Sequence, residues 1–186
     1  EPHLIRQEYV GPSIGSEVRQ KAVLALLLAL IGQIIYVSIR FEWRFAISAV
    51  AALFHDVLLL VGLFSILQLE IDGTFVAALL TIVGYSINDT VVIFDRIREN
   101  RKLMRDAQWP DLVNSSINQT MSRSLNTGLS TLIVLAALLF LGGDTLFSFA
   151  LALFTGVVVG TYSSVFVVGP LVAVWHDNTH RRQKRA

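Results

Sequence analysis

The chain contains no cysteine, only four prolines among its 186 residues, and little charge of either sign. Without thiols there is no disulfide framework, no thiol chemistry and no cysteine-ligated metal. Charged residues make up 16% of the chain, against about 25% in a typical soluble domain. The formal net charge of +1 gives no electrostatic footprint for nucleic acid. The sequence opens on Glu1, with no initiator Met and no charged, apolar and small-residue leader before its first apolar run. It is therefore expected to start inside a longer gene product.

What the chain has instead is apolar residues, 54% of the total. They fall into five runs, near Ala22–Ile39, Phe45–Leu67, Thr74–Phe94, Ser122–Leu141 and Leu146–Val174. A helix needs about 20 residues to cross ~30 Å of hydrocarbon, so each run predicts one crossing. The expected fold is all-α, a five-helix polytopic membrane bundle. The last run is long and is expected to tilt, or to bend at Gly169-Pro170, because proline removes a helical hydrogen bond.

Residues 1–16 differ in character. His3 to Val10 alternates loosely, and Gly11 to Ser16 is rich in breakers. They read either as the last strand of a water-exposed domain and a linker or as an ordinary flexible tail. The membrane domain then covers 17–176, and 177–186 form a basic tail. The segment Asn100–Met121 is expected to be the longest loop, with an interfacial helix starting near Pro110, since proline suits a first helical turn.

Basic residues orient the bundle. Arg40 and Arg44 follow the first span; Arg96, Arg98, Arg101, Lys102 and Arg105 follow the third; Arg181, Arg182, Lys184 and Arg185 lie in the tail. Only Arg6, Arg19 and Lys21 fall on the other side. Positive charge marks the cytoplasmic face, which predicts the N-terminus outside and the C-terminus inside. Arg123 is left over, at the start of the fourth span.

Few ionisable groups lie inside the spans, and such groups are expensive enough there to suggest function. Asp89 sits near the end of the third span, with Tyr85 on the same helix face at i, i+4 and Thr81 a turn beyond. Arg123, Asn126, Thr127 and Ser130 form one stripe on the fourth. The two polar stripes are expected to face each other. Whether a buried carboxylate keeps its charge depends on how close a guanidinium is, and arginine does not deprotonate in proteins. Asp89 and Arg123 thus read as a proton switch, with Asp89 the carrier; a static ion pair that sets helix register is the alternative. Asp56, at mid-depth in the second span, neighbours His55 at about 100° around the helix, so the two are not expected to pair. Asp56 reads as a structural hydrogen-bonding group or a member of a relay. Ser48, Ala49 and Ala52 on its helix, and Gly156 with Gly160 on the fifth, are expected at close helix contacts.

Several stretches resemble a known family: Val10–Gly15, Phe41-Glu42-Trp43-Arg44, Ala52–Val57, Glu70-Ile71-Asp72, Gly84–Val92, Phe94–Asn100 and Ser122–Thr127. They are similar to the SecF subunits of the SecD/SecF family of bacterial protein-export membrane proteins, which has the resistance-nodulation-division type of membrane fold. The resemblance implies six spans and a large periplasmic domain. The first span and most of that domain lie outside this sequence, which makes residues 1–16 the domain's end.

The implied function is to use the proton motive force to assist Sec-dependent translocation across the inner membrane, with protons as coupling ion, no cofactor or metal and no covalent chemistry. The implied partners are SecD, the SecYEG translocon, YajC, YidC and exported preprotein, besides membrane lipid. Asp89 and Arg123 match the family's proton-coupling pair, while Asp56, Tyr85, Asn126, Thr127 and Ser130 are candidates to line its path. Alternatives are a small-molecule exporter of the same superfamily and a purely structural subunit. An intramembrane aspartyl protease built on Asp56 and Asp89 is a further one, disfavoured by the motifs around both residues.

Overall fold

The structure, a computed structural model, describes residues 12–174. Five helices follow one another: α1 (Pro12–Arg40), α2 (Trp43–Ile66), α3 (Gly73–Leu103), α4 (Trp109–Leu141) and α5 (Asp144–Ser163). A π-helical turn, Ser164–Val168, continues α5, and the chain is α-helical again to residue 174. All five are long and apolar enough to cross a membrane. A bilayer offers the backbone no hydrogen-bond partners, so these runs satisfy themselves as helices.

Two boundaries depart from the sequence reading, the first of them at the basic end. The segment Asn100–Met121 is not a long loop: α3 runs on to Leu103, and the helix expected from near Pro110 is the start of α4 itself, continuous from Trp109. The helices extend because they keep packing there. Ile97, Leu112 and Val113 are buried, and Asn100 Nδ2 donates to Ser116 Oγ (2.8 Å) and Gln119 Oε1 (2.9 Å). Pro110 does stand in the first turn of α4. The second departure is at the other end of the chain's first helix, where Pro12 to Ser16, expected as linker, is helical. The proposed strand and the basic tail lie outside the described residues.

Short connections are fixed by local chemistry. Asp72 caps α3, its Oδ1 accepting from the Phe75 N–H (2.9 Å) and the Thr74 hydroxyl (2.7 Å), which satisfies a free helix N-terminal donor. Gly143 joins α4 to α5 at φ +74°, a conformation that favours glycine.

The long fifth span changes geometry one turn earlier than Gly169-Pro170 suggested. Pro170 cannot donate to the carbonyl at position 166, and its ring crowds that carbonyl. Widening the preceding turn into a π helix accommodates both.

Helices α2, α3 and α5 form the centre, and α1 and α4 flank it. In α1 6% of the membrane window is buried, against 50% in α3. At the basic end the core contains the edge-on rings of Phe45 and Phe94 (4.8 Å) with Phe41 beside them; at the opposite end Phe64 meets Phe75 (4.5 Å). Between these ends α3 and α5 approach through glycine. A Cβ on Gly156 would overlap the Ile82 side chain, and one on Gly160 would stand 3.1 Å from Ser86 Cβ. The Gly156–Gly160 pair is thus the α3–α5 crossing.

Candidate functional site

That crossing brings two buried carboxylates to neighbouring parts of the bundle. Asp56 comes from the small-residue face of α2, where Ser48, Ala49, Ala52 and Asp56 are all buried. Its Oδ2 accepts from Ser86 Oγ on α3 (2.7 Å) and from Ser163 Oγ on α5 (2.8 Å). Its Oδ1 lies 3.1 Å from His55 Nδ1. The two neighbours therefore do pair, against the sequence expectation. The separation of about 100° on the helix surface is bridged because an imidazole can bend back across one residue. The hydroxyl network continues: Ser164 Oγ donates to Gly160 O (2.9 Å) and lies 3.1 Å from Thr90 Oγ1 and 3.3 Å from Ser86 O.

Asp89 is placed differently. It is 5% exposed and feels the Arg123 guanidinium electrostatically, with Ser124 beside it. Yet Asp89 Oδ2 and Ser124 Oγ are both buried with no hydrogen-bond partner, as are Tyr85 Oη and Thr161 Oγ1. No ion pair within 4.0 Å joins Asp89 to Arg123 among the described residues. Nor does Asp89 share a hydrogen bond with Asp56, whose partners are Ser86, Ser163 and His55.

Arg123, Asn126, Thr127 and Ser130 are exposed, so their stripe does not face α3 as expected. Helix α4 is rotated to present Ser116, Thr120, Ser124 and Gly128 inward, all buried. These small residues recur every four positions, and only small side chains permit the close approach. The Thr161 hydroxyl sits 3.1 Å from where a Gly128 Cβ would be. Thr81 is also exposed, bonded to its own helix at Ala77 O. Tyr85 is half-buried. Alongside, between α4 and α5, lies an apolar cavity of about 510 Å³ whose lining includes Ser124, Gly128 and Thr161.

The serines carry what the sequence reading missed. Ser86 and the Ser163-Ser164 doublet supply most of the Asp56 network, and their signal was present: Gly156, Gly160 and Ser163/Ser164 continue one small-residue stripe at helical spacing.

Residues 1–178 match the C-terminal family of the protein export membrane proteins SecD/SecF. The chain belongs to that family. Among curated relatives, the protein translocase subunit SecDF of Thermus thermophilus is 52% identical over 174 residues, 94% of this chain and 24% of its own length. The protein translocase subunit SecF of Pseudomonas aeruginosa is 49% identical over 177 residues, 95% of this chain and 58% of its own. Among solved structures, SecDF in its super-membrane-facing form matches at 50% identity with a TM-score of 0.87, over 92% of this chain and 23% of that one. The translocon-associated SecDF of Thermus thermophilus matches at 53% identity and 0.85, over 90% and 23%. The five-helix architecture is thus that of the SecD/SecF membrane domain, and this chain spans between a quarter and three-fifths of the relatives it resembles.

Proposed function

We propose that this chain is the membrane motor of a protein translocase subunit that uses the proton motive force to assist Sec-dependent export across the bacterial inner membrane. In this reading its N-terminus faces the periplasm and its C-terminus the cytoplasm. One observation supports the proton role above the others: Asp89 is a buried carboxylate with an oxygen that no donor satisfies. Buried polar atoms are almost always paired, and an unpaired carboxylate in a membrane is expensive. A proton, or a change in distance to Arg123, relieves it.

Protons entering from outside neutralise Asp89 and weaken its attraction to Arg123. Release to the cytoplasm restores that attraction. The membrane potential supplies about 2.3 kcal/mol per charge per 100 mV, enough to bias two helix arrangements that differ by a few kcal/mol. Tyr85, half-buried beside Asp89, is the best placed of the remaining path candidates. Asn126, Thr127 and Ser130 form the exposed stripe with Arg123. A polar stripe is costly against lipid, so it fits a partner span, which the relatives' names suggest is SecD. Contacts with the translocon, YajC, YidC and preprotein would lie largely in the remainder of the subunit.

The test is Asp89→Asn in membrane vesicles carrying the assembled complex. Proton-dependent stimulation of preprotein translocation should be lost while assembly with SecD persists. Undiminished stimulation would remove the basis for the switch.

A further inference from the structure

The Asp56 network has a property that the Asp89 site lacks: it can hold its carboxylate in either protonation state without leaving a polar atom unpaired. Asp56 is 3% exposed, and its ion-pair contact among the described residues is with His55, whose side chain is 34% exposed. With Asp56 ionised, Nδ1–H of His55 donates to Oδ1 (3.1 Å) while Ser86 and Ser163 donate to Oδ2. Neutral imidazole then has a free acceptor at Nε2. When Nε2 takes a proton from outside and Nδ1 passes its own to Oδ1, one proton has moved inward. The imidazole is neutral again, and the new Oδ1–H donates back to Nδ1 along the same contact. No hydrogen bond is lost.

Bond strength changes even though the bond count does not. Hydrogen bonds to an ionised acceptor are roughly twice as strong as neutral ones. Ionised Asp56 therefore holds Ser86 of α3 and Ser163 of α5 firmly to α2, and neutral Asp56 holds them weakly. Ser163 has an alternative, since its hydroxyl also lies 3.2 Å from Gly160 O. The group released is the residue before the π-helical turn at Ser164–Val168, a geometry less regular than the α-helix on either side of it.

The surrounding elements offer no competing ion pair. Helix α3 brings Asp89 and Tyr85, neither hydrogen-bonded to Asp56. Helix α5 brings Tyr162, which is exposed and stacked on Phe166. From α1, Arg40 is engaged by Asp95.

We propose that Asp56, reached through His55, is a second proton-binding site, which clasps α2 to α3 and α5 when ionised and relaxes the clasp when it takes a proton. This extends the proton-coupled reading of the chain without depending on Asp89.

The experiment is infrared difference spectroscopy, acidic minus alkaline, on the subunit assembled with its partner in lipid nanodiscs. A protonated-carboxyl C=O band is expected on acidification that disappears in Asp56→Asn and persists in Asp89→Asn. Asn keeps an acceptor for both serines. Should that variant fail to fold, Ser163→Ala provides the second arm: it leaves the carboxyl in place but removes one of its two Oδ2 donors, so the band must shift in frequency. A set of bands untouched by Asp56→Asn or by Ser163→Ala overturns the proposal. A single band lost only in Asp89→Asn overturns it too, while supporting Asp89 as the carrier. Failure of the Asp89 switch is read separately, from translocation in vesicles.

Discussion

Asp56 and Asp89 are both carboxylates buried in the same bundle, and the protein treats them in opposite ways. Asp56 joins α2, α3 and α5 through two serines and a histidine. Asp89, on α3, has one oxygen unsatisfied, and three further hydroxyls, Tyr85 on α3, Ser124 on α4 and Thr161 on α5, are likewise buried without a partner. Asp56 is placed beside the glycine-mediated approach of α3 and α5, where Gly160 meets Ser86; Asp89 has as a neighbour Ser124, which lines an apolar cavity together with Gly128 and Thr161. A satisfied network contributes to a unique arrangement of helices. An unsatisfied group leaves free energy to be gained by a second arrangement. The contrast separates a carboxylate whose partners are in place in either protonation state from one whose unsatisfied oxygen favours a second arrangement.

Breaking that contrast should affect stability most at Asp56. Asp56→Leu removes the acceptor of the buried Ser86 and Ser163 hydroxyls, a loss of up to about 6 kcal/mol at ~1–3 kcal/mol for each unsatisfied group and less where Ser163 turns to Gly160 O (3.2 Å), measurable by reversible unfolding in micelles. An effect no larger than that of Asp89→Leu would dissolve the distinction. Next comes the crossing that holds the network together. Gly156→Leu forces a side chain into Ile82 and should cost about 1–3 kcal/mol as overpacking, seen as a lower midpoint in the same assay. Ile82→Ala on that background should recover part of it.

Asp89→Asn should change stability by less than about 1 kcal/mol, because Asp89 Oδ2 has no hydrogen bond to lose. The same variant should abolish proton-dependent translocation. A large loss of stability would instead mark Asp89 as a structural residue. Smallest of all is Asn126→Ala, expected within about 0.5 kcal/mol for the chain alone because the residue is exposed. Co-purification of the partner subunit is the readout on which that stripe should matter.

Much of this architecture was legible in the chain itself. Five apolar runs gave five helices, because crossing a membrane is a local property of length and polarity, although α1 starts at Pro12, α3 ends at Leu103 and α4 starts at Trp109, well outside the runs. The helix leading from near Pro110 into the fourth span was legible from its proline. The extension of α3 past Phe94 to Leu103 was not, because it depends on Asn100 meeting Ser116 and Gln119. The candidate site was half visible. Asp56 and Asp89 stand out as charges in apolar runs, but serines in such runs do not, so Ser86, Ser163 and Ser124 went unnoticed. The Arg123 stripe was correctly seen as one face of a helix and wrongly assigned to an internal neighbour.

The sequence by itself determined what enters the membrane, how many times it crosses, and the family to which the chain belongs. It also determined which two carboxylates could matter, since transfer of a charged group into hydrocarbon is costly whatever surrounds it. Tertiary structure alone decided how each helix is rotated about its axis. Rotation depends on where the small residues of one helix meet the bulk of another, as at Gly156 against Ile82 and Gly128 against Thr161. That choice, made jointly by several helices, is what gave Asp56 three partners and left Asp89 Oδ2 with none.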